Sequence, residues 1–383
     1  MVLPAASAHS PAMTTGIDTL PRLEPEIPAT SAGRDRYVDF LRAVSLLVVV
    51  AWHWVFTVVI WRTDGPHTSN PIGTTPGLWL LTWILQVMPL FFFVGGFAHL
   101  VTWESVERSG GGYRQFLARR LRRLLRPAAL CLVVMVGVRV AASSIAPGVP
   151  WFSRALMVVM SPLWFLAIYT GLVLITPLAV RLHRATGAMG PVLLAAGAVA
   201  VDVLRFGHHL HGIAAMANLA VVWGFAHQLG FGWRRLVAAP RYVAWAFVAA
   251  GLSALVVLTN IGLYPRSMVG VPGQAISNMG PPTVCILALT VFQVGIVLLL
   301  RERVTTWLGG PLPRRFTDWA KARSMSLYLW HFPAFFTAYG LVVLAGLDVP
   351  QHTSAAWWAQ RPLWALAPAL CVYPVVRAVR RFE

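Results

Sequence analysis

Long apolar segments, separated by short connections rich in arginine, run through almost the whole chain. Each of ten such segments approaches the length of about 20 residues that an α-helix needs to cross a bilayer. The pattern therefore predicts an all-α fold, a polytopic transmembrane helical bundle of about ten spans. The segments cover residues 38–61, 78–103, 127–145, 156–180, 190–206, 213–231, 243–262, 283–300, 325–346 and 361–378.

The composition agrees with a membrane protein. Of the 383 residues, 57% are hydrophobic and only 11% are charged, whereas a soluble domain has roughly 25% charged residues. The cysteines lie in apolar segments without the spacing of metal ligands, so we interpret them as small hydrophobic residues. The segment HHLH, residues 208–211, has only Asp202 as a neighbouring carboxylate. We therefore expect no metal site.

The distribution of positive charge predicts the orientation. The net charge is +18, but the basic residues alternate with apolar spans, which is typical of membrane topology rather than of nucleic-acid binding. If the N-terminus is cytoplasmic, most of the 31 basic residues fall on the inner side. The positive-inside rule then predicts a multi-pass protein of the plasma membrane with both termini cytoplasmic. The outer side keeps only Arg62, Arg139, Arg154, Arg205, Arg266 and Arg361.

The first residues differ from the rest. Residues 1–33 are rich in proline, alanine, serine and threonine and lack the basic and apolar regions of a signal peptide. We expect a disordered cytoplasmic tail there, followed by one transmembrane domain over residues 34–383.

The first span carries three ionisable residues in the stretch DFLRAVSLLVVVAWHW. Arg42 and His53 are eleven residues apart, so on a helix they share a face and are separated by roughly 16 Å. Asp39 precedes Arg42 by three residues, which allows an ion pair. Ionisable groups in a span are costly unless they face a cavity or a partner. One interpretation is a polar face of the helix that leads from the cytoplasm to His53 as a proton acceptor near mid-membrane. Alternatively, Arg42 extends its side chain to the lipid headgroups and His53 forms a hydrogen bond to another helix.

Five stretches of the sequence, taken together, resemble acyltransferase family 3. They are RYVDFLRAVSLLVVVAWHW, FFFVGGFAHL, RQFLARRLRRLLRPA, PLWFLAIYTGLVLITPL and SMSLYLWHFP, between residues 36 and 333. Members of this family are integral membrane enzymes that move acyl groups, often acetyl, onto extracytoplasmic or membrane-associated acceptors. The chain ends soon after its last span, so we expect no additional esterase-like domain.

The resemblance implies that acyl-coenzyme A, and most simply acetyl-coenzyme A, is a co-substrate and that no cofactor is tightly bound. Arginine forks match phosphate oxygens, so Arg42 and a basic loop are candidates to hold the donor, although topology control and contact with anionic lipid explain the loop equally well. Several Arg-x-x-Arg pairs overlap in this loop, so the sequence does not show which pair holds the donor. His331 in SLYLWHFP either lines the donor entrance or packs between helices. The basic loop contains Arg119, Arg120, Arg122, Arg123 and Arg126.

The sequence thus favours a membrane O-acyltransferase. His53 is the predicted general base, or a transient carrier of the acyl group, and Asp39 is predicted to orient Arg42. We expect an acceptor that offers a hydroxyl, and the sequence leaves a glycan, a lipid and a small secreted molecule open. A transporter or flippase of a lipid-linked or polar substrate is the alternative, since a polar face within ten spans suits that function as well. The sequence does not indicate an oligomeric state.

Overall fold

The computed structural model describes residues 35–145, 147, 151–207 and 212–379. The predicted disordered tail and the HHLH segment lie outside the described residues.

Almost every predicted span corresponds to a helical segment of similar position. Within the described ranges, nine helical segments have the length and hydropathy of a membrane span, and α8 coincides with the sixth predicted span. The all-α polytopic bundle is therefore confirmed. The helices are α1 (Arg36–Phe56), α2 (Leu81–Leu85), α3 (Met88–Arg108), α4 (Tyr113–Ile145), α5 (Trp151–Met160), α6 (Trp164–Thr186), α7 (Met189–Gly207), α8 (Ile213–Phe231), α9 (Trp233–Ala238), α10 (Arg241–Asn260), α11 (Val284–Trp307), α12 (Pro311–Leu344), α13 (Ala355–Ala359) and α14 (Arg361–Val379).

Two helices begin well before the apolar segments that predicted them. α4 starts at Tyr113 rather than at residue 127, and α12 starts at Pro311 rather than at residue 325. Arginine, leucine and alanine are all good helix formers, so the basic connections continue the helix outside the apolar region. Hydropathy marks where a helix enters lipid, not where it begins.

The end of the first predicted span is wrong. α1 ends at Phe56, and the chain continues into an antiparallel hairpin of β1 (Val58–Arg62) and β2 (Gly65–Ser69). The stretch VVIW is apolar enough to extend a predicted span, but its β-branched residues also favour a strand. The hairpin lies at the end of the bundle that the charge distribution predicts to be outside.

Polar contacts join this hairpin to α5 and to the outer loop, which is the segment 261–283 between α10 and α11. His67 Nε2 is hydrogen-bonded to Asp64 Oδ1 at 2.8 Å, and Arg154 of α5 pairs with Asp64 Oδ2 at 2.6 Å. The hydrogen bond from His67 and the charge of Arg154 hold the pKa of Asp64 below its usual range. Asn70 donates a hydrogen bond to the carbonyl oxygen of Gly270 at 2.8 Å. The outer loop is therefore tied to the hairpin.

The helices around α1 define where the polar residues meet. Trp54 near the end of α1 donates to the carbonyl oxygen of His331 at 2.9 Å, and Asp39 near its start pairs with Lys321. α12 therefore runs in the same direction as α1. Arg361 at the start of α14 donates to the carbonyl oxygen of Val55 at 3.0 Å, so α14 runs in the opposite direction. All three directions agree with the predicted topology.

Close helix contacts on the other side of the bundle depend on glycine. A Cβ atom at Gly96 of α3 would lie 2.0 Å from the carbonyl oxygen of His227, and one at Gly230 of α8 would lie 1.9 Å from that of Phe93. Small residues at such crossings let two backbones approach, which is a common way to pack helices in membranes. α3 and α8 thus touch backbone to backbone.

Candidate active site

A cavity at the predicted cytoplasmic end of the bundle collects many of the charged residues. Its volume is about 580 Å³, and α1, α3, α4, α6 and α12 form its walls. We call it the arginine cavity. It brings together two of the three predicted residues of α1 and three of the five arginines from the predicted basic loop. Its charged lining consists of Asp39, Arg42, Arg119, Arg120, Arg123 and Lys321.

The arginines of α4 divide into two groups because the predicted loop is a helix. Residues three and four positions apart lie on the same face, so Arg119 and Arg123 share one face with Arg122 and Arg126. These four line a second cavity of about 340 Å³, and Arg119 and Arg123 line both cavities. Ion pairs among the described residues include neither of them. Their charges are therefore available to an anionic ligand.

Arg120 has a different environment. Its guanidinium group donates to the carbonyl oxygen of Ala98 and to the hydroxyl oxygen of Thr102, both on α3. Arg120 thus anchors α4 to α3 at the wall of the arginine cavity. It adds positive charge to the cavity, while one of its terminal nitrogens is already engaged.

The partner of Asp39 was not foreseen from the sequence. Lys321 Nζ lies 2.7 Å from Asp39 Oδ2, and their side chains are 24% and 14% exposed. This ion pair joins α1 to α12 at the arginine cavity. Lys321 is the only lysine in a chain that otherwise uses arginine, and this unusual residue was the available signal.

His53 faces a second histidine. The ring centroids of His53 and His331 are 5.1 Å apart, and Phe332 packs edge-on against His53 with its centroid at 5.0 Å. His331 is 1% exposed. Its Nδ1 is hydrogen-bonded to the carbonyl oxygen of Tyr328, and its Nε2 is buried with no partner among the described residues. His53 remains half-buried. The two imidazoles therefore form a pair with unused hydrogen-bonding capacity.

The histidine pair is separate from the arginine cavity. Along α1 the lining of the cavity ends at Leu46, so neither His53 nor His331 belongs to it. His53 lies in the last turn of α1, closer to the predicted outer surface than the mid-membrane position expected from a longer span. The structure thus places the Asp39–Lys321 pair and the histidine pair on the same two helices, about three to four helical turns apart.

A further pair of histidines lies behind the arginine cavity. His99 of α3 and His227 of α8 are hydrogen-bonded, with 2.9 Å between Nδ1 and Nε2, and both are buried. The ring of His99 also packs against Tyr169, with centroids 4.9 Å apart, and Tyr169 lines the cavity. A single sequence gives no signal for this pair, since the two residues belong to different helices and have no common motif.

No metal centre is visible in the part of the chain that the structure describes. It contains no group of three or more histidine, cysteine, aspartate or glutamate side chains that could hold an ion. The geometry provides an inner cavity suited to anions and, farther along α1 and α12, a pair of imidazoles suited to proton transfer.

A family model described as an acyltransferase domain matches residues 35–376. The chain belongs to acyltransferase family 3. The match covers all the helices that line the arginine cavity and both histidines of the pair. Membership in this family favours the acyltransferase over the transporter. No curated protein and no solved structure matches the chain.

Proposed function

We propose that this acyltransferase moves an acyl group, most simply acetyl, from cytoplasmic acyl-coenzyme A to a hydroxyl of a glycan, a lipid-linked or a small secreted acceptor. The observation that carries the proposal is the arrangement of α1 and α12. The helix pair faces the arginine cavity at Asp39 and Lys321, and it holds the histidine pair about three to four turns farther along. A donor with phosphates at one end and a thioester at the other matches this arrangement.

The arginine cavity is the proposed site for the phosphates of the donor. Arg42, Arg119 and Arg123 contribute guanidinium groups to one space of about 580 Å³. Such groups present planar forks of donors that fit phosphate oxygens in pairs. Coenzyme A carries a diphosphate and a ribose phosphate, so several arginines close together suit it better than one.

His53 is the proposed general base. It accepts the proton of the acceptor hydroxyl as the oxygen attacks the acyl carbon. A new carbon–oxygen bond forms, the carbon–sulfur bond breaks, and the coenzyme A thiolate leaves with the electron pair. The proton held by His53 can then pass to that sulfur. His331 positions the ring of His53, since the two rings pack together and its own Nδ1 is held by Tyr328.

Contact between the thioester and His53 requires a rearrangement. The lining of the arginine cavity along α1 ends at Leu46, whereas Arg42 and His53 are roughly 16 Å apart along the helix. In the proposed complex, the arm of the donor separates α1 from its neighbours over this distance.

A direct test compares His53→Ala with His352→Ala, which alters an exposed histidine outside both sites. Purified protein in vesicles receives radiolabelled acetyl-coenzyme A and a lipid and glycan extract of the cell envelope, and label transfer and free thiol are measured. We expect His53→Ala to lower transfer by about 10²–10⁴, which is the usual contribution of a general base, and His352→Ala to leave it unchanged. Full transfer by His53→Ala refutes the assignment.

His331→Asn separates positioning from catalysis. An asparagine keeps the polarity of the side chain but removes the ring that packs on His53. We expect a lower kcat with an unchanged KM for acetyl-coenzyme A, because the phosphates bind in the arginine cavity, which His331 does not line. A rise in KM with an unchanged kcat supports the alternative that His331 lines the donor entrance.

A further inference from the structure

A third cavity lies on another side of α1. It has a volume of about 940 Å³ and runs between α1, α12 and α14. Its walls are almost entirely apolar, with Leu47 and Ala51 on α1, Leu327 on α12, and Ala369 and Val372 on α14. We call it the apolar groove. It shares no lining residue with the arginine cavity.

One end of the apolar groove is positively charged. Arg323 on α12 and Arg377 in the last turn of α14 both line it. Arg323 lies over the ring of Trp319, with 5.6 Å between its guanidinium carbon and the ring centroid. Across the described chain, neither arginine takes part in an ion pair. The charged end lies on the predicted cytoplasmic side, where Arg377 precedes the end of the last helix.

The dimensions of the groove match those of lipid chains. On α14 its lining extends from Ala365 to Ala378, which corresponds to roughly 20 Å at the rise of an α-helix. The hydrocarbon of one leaflet is half of a core of about 30 Å. The groove therefore covers the full depth of the inner leaflet, with its two arginines at the level of the lipid headgroups.

We propose that the apolar groove binds an anionic phospholipid of the inner leaflet. Its phosphate lies between Arg323 and Arg377, and its acyl chains run along the apolar walls towards Trp54. The charge of the groove argues against a second copy of the chain as the occupant. In a two-fold dimer within a membrane, each residue meets its counterpart at the same depth, so the arginines of both copies would face one another.

This site does not depend on the proposed donor or acceptor. A bound lipid fills the space between α1 and α14 and supports the packing of α1 against α12. It is therefore expected to stabilise the fold even when no acyl group is transferred. Lipid binding and acyl transfer can be measured separately, so failure of one proposal is distinguishable from failure of the other.

The test is native mass spectrometry of the purified protein in an equal mixture of phosphatidylglycerol and phosphatidylcholine. The wild type is expected to retain phosphatidylglycerol preferentially. Each basic residue facing an anionic headgroup strengthens binding roughly fivefold, so Arg323→Gln with Arg377→Gln should weaken retention on the order of thirtyfold. The matched control is Arg303→Gln with Arg315→Gln, which removes two exposed arginines outside the groove.

Two more variants locate the site. Lysines in place of Arg323 and Arg377 keep the charge and should retain most of the preference for phosphatidylglycerol. A loss of this preference in both the lysine and the glutamine variants would indicate misfolding. Ala369→Trp fills the groove without changing the charge and should prevent binding of both lipids. The proposal is overturned by equal retention of the two lipids by the wild type, by equal losses in the glutamine pair and its control, by full binding to Ala369→Trp, or by a dimer that excludes lipid.

Discussion

The contact between α3 and α8 offers a sharp test of how packing supports the site. In Gly96→Ala, the new Cβ atom would lie 2.0 Å from the carbonyl oxygen of His227 and 2.8 Å from its carbonyl carbon. Non-bonded atoms do not approach below about 3 Å, so the helices must separate by roughly 1 Å. His99 lies one turn further along α3, and its bond of 2.9 Å to His227 would lengthen beyond hydrogen-bond range.

The expected loss of stability follows from three contributions. Forcing a methyl group into a packed contact costs about 1–3 kcal/mol. Leaving buried polar groups of the His99–His227 pair without partners adds about 1–3 kcal/mol. Replacing glycine with alanine in a helix returns up to about 1 kcal/mol. We therefore expect a net destabilisation of about 1–6 kcal/mol, which corresponds to a drop in Tm of several degrees.

The activity should fall as well. Tyr169 packs on His99. Both Tyr169 and Phe91 of α3 line the arginine cavity. A misplacement of about 1 Å, even when it is caused by a mutation far from the reacting groups, can lower the rate about 10²-fold.

Thermal unfolding in detergent, followed by tryptophan fluorescence, and acyl transfer in vesicles measure the two effects of Gly96→Ala. The control is Gly224→Ala on α8, where a Cβ atom has no neighbour closer than 3.9 Å, so its stability should be unchanged or slightly higher. The reasoning is refuted if Gly96→Ala unfolds at the temperature of the wild type, or if both variants lose the same amount.

Two predictions concern the arginine cavity. Arg123→Gln should raise the KM for acetyl-coenzyme A roughly ten- to a hundredfold, since a hydrogen bond to a charged group contributes about 1.5–3 kcal/mol. The control Arg114→Gln, which alters an exposed arginine outside the cavity, should leave the KM unchanged. Equal shifts of the KM in steady-state kinetics would contradict a phosphate site. Asp39→Asn or Lys321→Met alone should destabilise the fold by roughly 1–3 kcal/mol, between the values for exposed and buried ion pairs. The double variant should recover part of this loss in thermal unfolding, while additive losses would show that the pair is not coupled.

The sequence predicted the helical bundle well because a membrane span must be both long and apolar. It was less informative about the ends of elements. The strands after Phe56 and the early start of α12 both fall where hydropathy and helix propensity give different answers. The break between α5 and α6 follows from Pro162, since proline lacks an amide hydrogen and disrupts a continuous helix.

For the candidate site, the sequence predicted which residues share a face of one helix, but not which residues of different helices are in contact. The periodicity of α1 correctly placed Asp39 and Arg42 on one face, and both line the arginine cavity. Partners on distant helices were not predictable, because 282 residues separate Asp39 from Lys321. Likewise, whether an arginine of α4 points into the cavity depends on the rotation of that helix against α3, which anchors Arg120. The contact of His53 with His331 is also a property of tertiary packing.

The parallel course of α1 and α12 has a consequence for which donors can react. The Asp39–Lys321 ion pair joins the two helices at one level, and the contact of the imidazoles with the Trp54–His331 hydrogen bond joins them at another. Sliding of one helix along the other would break both. The rise per residue of an α-helix is fixed, so the distance from Arg42 to His53 along α1 stays at roughly 16 Å. In the proposed reaction this fixed distance selects thioesters whose acyl group and phosphates are far enough apart. A short thioester without such an arm cannot reach the arginine cavity and His53 at the same time.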